Sequence, residues 1–561
     1  MVSASKVKNC IIDNHLYEWL SYYNINNLTD VPKELKKQFN NFTNKQNNYS
    51  TRLTKQGIEY ENKVINKIKN DIQNTNISFI EICESYQSRE IKYFEKTKQA
   101  MKDGINIIYQ GVLHDYENNI YGCPDLLIRS DKFNRIFNND YLNSFDSNES
   151  YFGNYYYIVV DIKNNKLDYR KDSRLLKSHL NVNMNKGQLY VYTKALKNIQ
   201  GYEPSISFIY GKNNKLGEID YNDNDKDYKK KVNDAIKWVL DMRENGHNWK
   251  IYPEPSNRYL YPNMNVTSID YNKKNKRIKK ELAEAIGEIT LLYQCGIMNR
   301  EIGFNNGIRS LNDKRCSSES LGFVKGAHKR RIDRILETNH SECMVLPLLI
   351  RNDKFNWHHI NDSSMEFYCD FETINLEFIG GNNTQYVFMI GIGYIENDNF
   401  NFKCFVAENT SEREERRIFM DCINFMKIKS KELNFNNYHM IHWNNTERTI
   451  TKKVLDRYGL KDKLNFIDLL DLFMNIEEPI GVKGAYNYKL KTIGTSLNKL
   501  GLIDIKWNED ECDNGLDAMY RALDLYERDN VNGREMKQII DYNEIDCRVL
   551  YDIISYLRLN H

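Results

Sequence analysis

Closely spaced cysteines are missing from this 561-residue chain: its eleven cysteines are scattered and include no CxxC pair. That argues against a zinc ribbon, an iron–sulfur cluster of closely spaced ligands and a secreted disulfide framework. A reducing, intracellular compartment is the simplest expectation. Long apolar runs are missing too. The longest span residues 387–395 and 344–350, far short of the ~20 residues a membrane helix needs, so no membrane partner is expected. The first ten residues, MVSASKVKNC, contain no apolar h-region, so no secretory signal is expected. An excess of one charge is also missing. Lys and Arg number 79 against 77 Asp and Glu, a net charge of +2, so only local asymmetry can point to a nucleic-acid partner.

Hydrophobic residues make up 41% of the chain, aromatics 12% and charged residues 28%. This is enough to build cores, and it excludes a disordered, collagen-like or coiled-coil chain. At roughly 100–200 residues per domain the length predicts about three to five domains. Asn is very abundant, roughly one residue in eight, and Tyr is frequent; a codon bias of an AT-rich genome accounts for both. The charge is locally uneven. Residues 163–197 hold nine Lys/Arg against two Asp, residues 273–280 hold six basic residues, and residues 325–334 hold five.

Periodicity predicts a helix over 56–69 and a strand over 77–82. It predicts strands over 105–113 and 121–128 joined by a turn at 117–119, and a dense strand over 155–162. A helix over 184–196 and a strand over 206–210 follow. Asn-rich segments at 40–48 and 131–154 read as loop and insertion. Pro253 and Pro255 mark a boundary. A second α/β pattern starts near Met365, with strands over 365–371 and 386–395, and closes with an amphipathic helix over 533–557. His358 and His359 read as loop residues before it. Gly391 and Gly393 suggest close packing rather than a dinucleotide loop, since no GxGxxG follows. The expected divisions are 1–50, a helical start and loop; 51–260; 261–355, a helical connector; and 356–561.

Two sets of dispersed acids carry the chemistry. In the first, Asp161 and Lys163 stand at i and i+2 of an apolar strand and so share a face. Asp125, in Gly122-Cys123-Pro124-Asp125, sits at a turn into another apolar strand. Gln188 and Tyr192 share one face of a helix. Gly57-Ile58-Glu59-Tyr60-Glu61 opens the early helix and can add a further carboxylate. Phosphodiester hydrolysis needs a divalent metal to stabilise charge and to acidify water, and hard oxygen ligands suit Mg²⁺ or Mn²⁺.

The order Glu61, Asp125, Asp161-x-Lys163, Gln188-x-x-x-Tyr192 resembles the RecB-like branch of the PD-(D/E)XK nucleases, which includes the Cas-four-type nucleases. The resemblance implies that Glu61, Asp125 and Asp161 ligate metal, that Lys163 is the catalytic lysine, and that Gln188 and Tyr192 are the QxxxY pair. Glu59 competes with Glu61, which better fits the GxxxE spacing. The cysteine cluster of many such nucleases is absent here, so no iron–sulfur cluster is expected. The basic stretch after Lys163, with Arg170, Lys171, Arg174 and Lys186, would guide a phosphate backbone.

The second set starts with Asp370 and Glu372, again at i and i+2 of an apolar strand. Two carboxylates buried together are unfavourable unless metal or partners neutralise them. Far downstream, Tyr542 and Asp546 lie one helical turn apart. This set resembles the DEDD exonucleases with the tyrosine form of the last motif, on an RNase H-like fold. The resemblance implies Asp370, Glu372, Glu447 and Asp546 as ligands, with Asp468 the fallback for Glu447, and Tyr542 as the water-orienting residue.

The expected fold class is therefore α/β: a PD-(D/E)XK core, a connector similar to a helix-hairpin-helix module, and an RNase H-like domain. The expected function is a Mg²⁺- or Mn²⁺-dependent DNA nuclease with a second, 3′-end-directed exonuclease centre. The alternatives are a nucleic-acid-binding scaffold with an inactive RNase H-like domain, and a ribonuclease. DNA, single- or double-stranded, is the expected partner; a helicase and a second copy of the chain are further candidates. The two-nuclease organisation is similar to that of proteins of large DNA viruses, including virus-defence nucleases of the Cas-four-like kind. That resemblance points to host cytoplasm or virion.

Overall fold

Contacts along the chain fall into two units, Met1–Ile286 and Gly287–His561. The computed structural model describes residues 1–23, 31–41, 48–84, 87–142, 150–171, 173–266, 273–351, 357–358, 364–379, 385–505, 507, 512, 514–531 and 533–561. His359 and most of the loop expected over 40–48 lie outside these residues, as does part of the insertion expected over 131–154.

In the first unit the strands are β1 (Val2–Ser3), β2 (Phe79–Glu81), β3 (Ile107–Tyr109), β4 (Leu113–Asp115), β5 (Ile120–Gly122), β6 (Leu126–Arg129), β7 (Tyr157–Ile162), β8 (Ile206–Gly211) and β9 (Lys215–Asp220). Six form a mixed sheet in the order β2-β3-β6-β7-β8-β9, and β1, β5 and β4 form a small second sheet. Each strand expected over 105–113 and 121–128 is thus two strands. Gln110 stands at φ +52°, which breaks an extended run, and Pro124 has no N–H for a ladder. So β3 and β6 pair in the large sheet, Ile108 opposite Leu127. Around the expected turn, β4 and β5 form a hairpin, His114 opposite Tyr121.

Strand alternation explains the layering. Ile158, Val160 and Ile162 of β7 pack with Val64, Ile65 and Ile68 of the helix Asn48–Ile72. The intervening residues Tyr157, Val159 and Asp161 face the other way. On that side lies the helix Leu180–Gln200, whose Gln200 Oε1 accepts from Tyr157 N at 2.8 Å. The start of the chain is built into the same unit: β1 runs parallel to β5, Val2 opposite Ile120.

In the second unit the strands are β10 (Val345–Leu346), β11 (Ser364–Ile374), β12 (Tyr386–Glu396), β13 (Asn399–Val406), β14 (Asn437–His442), β15 (Phe466–Asp468) and β16 (Gly481–Val482). The main sheet has the order β13-β12-β11-β14-β15. Its first three strands are antiparallel; β11, β14 and β15 run parallel. The last helix, Arg534–Asn560, crosses β12 at the glycines expected to mark close packing. A Cβ on Gly391 would stand 1.7 Å from Asn543 Oδ1, and one on Gly393 3.4 Å from Cys547 Cβ, both on that helix.

The segment expected as one connector is divided. Its helix Lys273–Ile286 belongs to the first unit, whereas Ile289, Leu292 and Leu336 share a core with Trp357, Tyr368 and Leu550. The two helices nearest the expected helix-hairpin-helix, Ile297–Asn305 and Gly326–His340, are separated by twenty residues (306–325) instead of a tight hairpin. The first of them is anchored to the preceding turn by a buried pair, Arg300 Nη1 donating to Glu288 Oε1 at 3.2 Å.

Two candidate active sites

The first site lies at the end of β7. Asp161 is 1% exposed, and the Lys163 ammonium, two residues on, ion-pairs with its Oδ2. Between β5 and β6 the Gly122-Cys123-Pro124 turn brings in Asp125, whose Oδ2 accepts from the Ile162 amide at 2.6 Å. Gln110 links this acid to the early helix. Its Nε2 donates to Glu61 Oε1 at 2.7 Å and lies 3.4 Å from Asp125 Oδ1. Tyr109 Oη donates to the same Glu61 oxygen at 3.0 Å. Geometry thus separates the two competing glutamates. Glu61 faces the cluster, while Glu59 is exposed, with Lys55 3.9 Å away.

Gln188 Nε2 donates to Tyr192 Oη at 2.7 Å within the buried side of the helix Leu180–Gln200. That helix can approach because residue 122 has no side chain: a Cβ there would lie 2.2 Å from Tyr192 Cε1. Burial drives the electrostatics. It pushes the Asp125 carboxyl well above its usual range, with the Asp161 charge adding to the effect. Burial also opposes the charge on Lys163, but Asp161 and Asp125 outweigh it and raise its pKa, so the lysine stays cationic. Burial, then the same two acids, pushes Tyr192 well up, so it remains a neutral hydroxyl.

Of the four basic residues expected along the phosphate path, Lys171 and Arg174 are exposed and Arg170 is half-buried. Arg170 donates to Asn224 Oδ1 at 2.8 Å, and Arg174 lies over the Tyr141 ring, 4.9 Å from its centroid. Lys186 is a correction. It is 0% exposed, and its Nζ bonds to Asp225 Oδ1 at 2.7 Å, Leu176 O at 3.1 Å and Ser178 Oγ at 3.3 Å. It falls on the inward face of its helix, so its charge is spent on an internal pair. Lys186→Ala, which strands Asp225 in the interior, is expected to cost about 3–5 kcal/mol of stability. The folded fraction should bind DNA as the wild type does; thermal melting and fluorescence-anisotropy titration check the two parts.

The second site lies on β11. Asp370 and Glu372 point to one side, and a register shift between Glu372 and Thr373 falls beside them; such bulges re-aim side chains next to active sites. The last helix adds Asp546. Among the described residues, oxygens of Asp370, Glu372 and Asp546 all come within 4.8 Å of one another. Burial, then the Asp546 and Glu372 charges, pushes Asp370 well above its usual range. Burial, Asp546 and Glu447 do the same to Glu372. Asp546 is pushed up by burial to about 6, held back by the Trp507 indole N–H and the Tyr542 hydroxyl. Three oxygen ligands, Glu372 and Asp546 buried and Asp370 half-buried, that resist ionising together suit a hard divalent cation, which would hold all three as carboxylates. In the first site Glu61, Asp125 and Asp161 are set more widely, with Gln110 and Lys163 between and beside them, and offer the same all-oxygen donor type.

Glu447 sits in the first turn of the helix Thr446–Tyr458 and lies outside the three-acid group. It is 6% exposed, with its Oε2 3.1 Å from His442 Nδ1. Asp468 is engaged elsewhere: its Oδ1 accepts from the Asn444 amide at 2.8 Å and caps the next helix through Leu470 N at 3.0 Å. Tyr542 is half-buried, and burial with the Asp546 charge raises its pKa far above the usual tyrosine range.

Four positioning residues have no counterpart in the motif reading. Gln110 and Tyr109 hold Glu61. Asn543 Nδ2 donates to Asp370 Oδ2 at 2.7 Å, and Trp507 Nε1 donates to Asp546 Oδ1 at 2.7 Å. Asn543 adjoins Tyr542 in the motif and was the only one with a local signal; the others arrive from distant segments.

Residues 367–558 match the family model described as the RNase_H superfamily. The matched stretch contains Asp370, Glu372, Glu447, Tyr542 and Asp546. The chain is α/β with an RNase H-like domain, a class that points to a nuclease-type phosphodiester hydrolase. No curated protein matches the sequence. No described helix is long and apolar enough to cross a membrane.

Proposed function

We propose that the chain is a Mg²⁺- or Mn²⁺-dependent DNA nuclease with two hydrolytic centres: a PD-(D/E)XK-type centre in Met1–Ile286 and a DEDD-type 3′-end exonuclease centre on the RNase H-like domain. The observation that carries this reading is convergence. Glu61, Asp125, Asp161 and Lys163 come from a helix, a turn and a strand end to one place, around an Asp125 carboxyl that burial pushes well above its usual range.

A divalent ion held by Glu61, Asp125 and Asp161, or by Asp370, Glu372 and Asp546, supplies positive charge against the phosphoryl oxygens and acidifies water. The chain's own groups do the rest. Lys163 stays protonated and can donate to a phosphate oxygen or orient the attacking water. Gln188 and Tyr192 brace the turn that presents Asp125. At the second centre the neutral Tyr542 hydroxyl orients water, while Asn543 and Trp507 fix Asp370 and Asp546 through their N–H donors. Arg170, Lys171 and Arg174 offer charge to the backbone, so binding should weaken steeply with salt.

The superfamily match makes RNA the second substrate class to test at the C-terminal centre. The position of Glu447, outside the three-acid group, favours the competing reading of an inactive RNase H-like scaffold. A helicase partner, self-association and a role in virus defence rest on the family resemblance. The deciding experiment digests circular DNA, end-labelled linear DNA and RNA with Mg²⁺ or Mn²⁺, using wild type, Asp161→Ala and Asp370→Asn. Cleavage of DNA by wild type, altered differently by the two variants, is expected. If wild type cuts no substrate with either ion, the nuclease reading fails.

A further inference from the structure

The N-terminal helix Ala4–Ile11 lies against the first site, and no motif accounts for it. β1 leads into it while paired in parallel with β5, Ser3 opposite Tyr121, so the chain start is tied to the strand that ends three residues before Asp125. Ala4, Lys8 and Ile11, at i, i+4 and i+7, share one face of the helix. Both ends of that face press on glycines flanking the site. A Cβ on Gly122 would stand 3.4 Å from Ala4 Cβ, and one on Gly187, the neighbour of Gln188, would stand 2.5 Å from Ile11 Cγ1. Lys8 is held between these two contacts.

Its state differs from that of the other enclosed lysines. Lys163 pairs with Asp161, Lys186 with Asp225, and Lys279 donates to Asn14 Oδ1 and Val266 O. Lys6, on the same helix, pairs with Glu18 at 3.1 Å. Lys8 is half-buried, and among the described residues its ammonium has no hydrogen-bond or ion-pair partner. It nevertheless stands in the field of the cluster. Burial lowers its pKa to about 8, Lys163 adds to the lowering, and Asp161 and Asp125 oppose it. A half-desolvated cation without an anion gains when one arrives. Each further cation beside a site lined by carboxylates helps to admit a phosphodiester, and one of the three Lys163 donors is already turned to Asp161.

We propose that Lys8 is a substrate-binding residue of the first centre, its ammonium taking a non-bridging oxygen of the nucleic-acid backbone at or next to the scissile phosphate. The assignment rests on the nuclease reading of that centre and adds the N-terminal helix to its substrate contacts.

The test measures binding of a fluorescent DNA duplex and a single strand across a NaCl series in EDTA, with wild type, Lys8→Met, Lys8→Arg and Lys6→Met. Lys8→Met keeps the aliphatic stem. It is expected to flatten the slope of log affinity against log salt by about 0.9 on duplex, or about 0.7 on single strand. Lys8→Arg should restore the slope, and Lys6→Met should not change it. With Mn²⁺, Lys8→Met should lower kcat/KM about 10- to 100-fold. If Lys8→Met does not fold, Lys8→Gln against Lys8→Arg makes the same comparison. Cleavage by wild type together with an unaltered slope and kcat/KM in the folded Lys8 variant overturns the assignment alone. A Lys8-dependent slope without any cleavage by wild type overturns the nuclease reading alone.

Discussion

Asp161→Ala and Lys163→Ala are each expected to lower metal-dependent DNA cleavage at the first centre by about 10²- to 10⁴-fold, the range for losing a positioned proton-transfer or charge-stabilising group. The two side chains act as a pair. Without Lys163, the 1%-exposed Asp161 loses its ion-pair partner. Without Asp161, Lys163 loses its anchor and one metal ligand is gone. Neither change should unfold the unit, since Ile158, Val160 and Ile162 keep their packing, but Lys163→Ala strips the enclosed Asp161 of its ion-pair partner and should lower the melting midpoint. Single-turnover cleavage of end-labelled duplex, with circular dichroism melting of each variant, checks both halves. The assignment of the main centre is wrong if Asp370→Ala alone removes all cleavage while Asp161→Ala cuts normally.

Asp370→Asn should remove 3′-end trimming by a similar factor and, without metal, make the second unit more stable at pH 8. The sign follows from the raised acids. The Asp546 carboxyl titrates near 6 in the fold, against about 3.9 for an ordinary Asp. Below about pH 4 folded and unfolded chains are both protonated, so the group contributes no difference. As pH climbs from about 4 through 6, the unfolded chain releases its proton first and stability falls. Asp370 and Glu372 are raised in the same direction and extend the loss upward. Metal-free wild type should therefore melt lower at pH 8 than at pH 5, and Asp370→Asn should narrow that gap. Adding Mn²⁺ at pH 8 should raise the wild-type midpoint and leave the variant nearly unmoved, since a ligand stabilises only the state that binds it. Scanning calorimetry at the two pH values, with and without Mn²⁺, decides. A wild-type midpoint indifferent to both pH and Mn²⁺ contradicts the three-acid metal site.

Much of the architecture was readable from periodicity. The strand over 155–162, the strands over 365–371 and 386–395 and the closing helix all have counterparts close to the expected bounds. What failed did so for local reasons. The strands expected over 105–113 and 121–128 were each read through a break, because apolar content continues past Gln110 and Pro124 although the backbone does not. Lys186 was read as a phosphate contact because it sits in a basic run. A run reveals composition but not which face of a helix each member occupies, and Lys186 falls on the face that meets Asp225.

Pairs two or four residues apart, such as Asp161 with Lys163 or Tyr542 with Asp546, were specified by spacing, since strand and helix geometry alone decides that they share a side. Which glutamate of Glu59 and Glu61 turns inward depended on Tyr109 and Gln110, some fifty residues further along. Asp370 is held by Asn543 and Asp546 by Trp507, and Lys8 meets the first site across glycines at 122 and 187; these too were settled by packing. Local geometry reaches about one turn of chain. Charge, burial and hydrogen bonding act through space, and they take their partners from whichever segment the fold lays beside them.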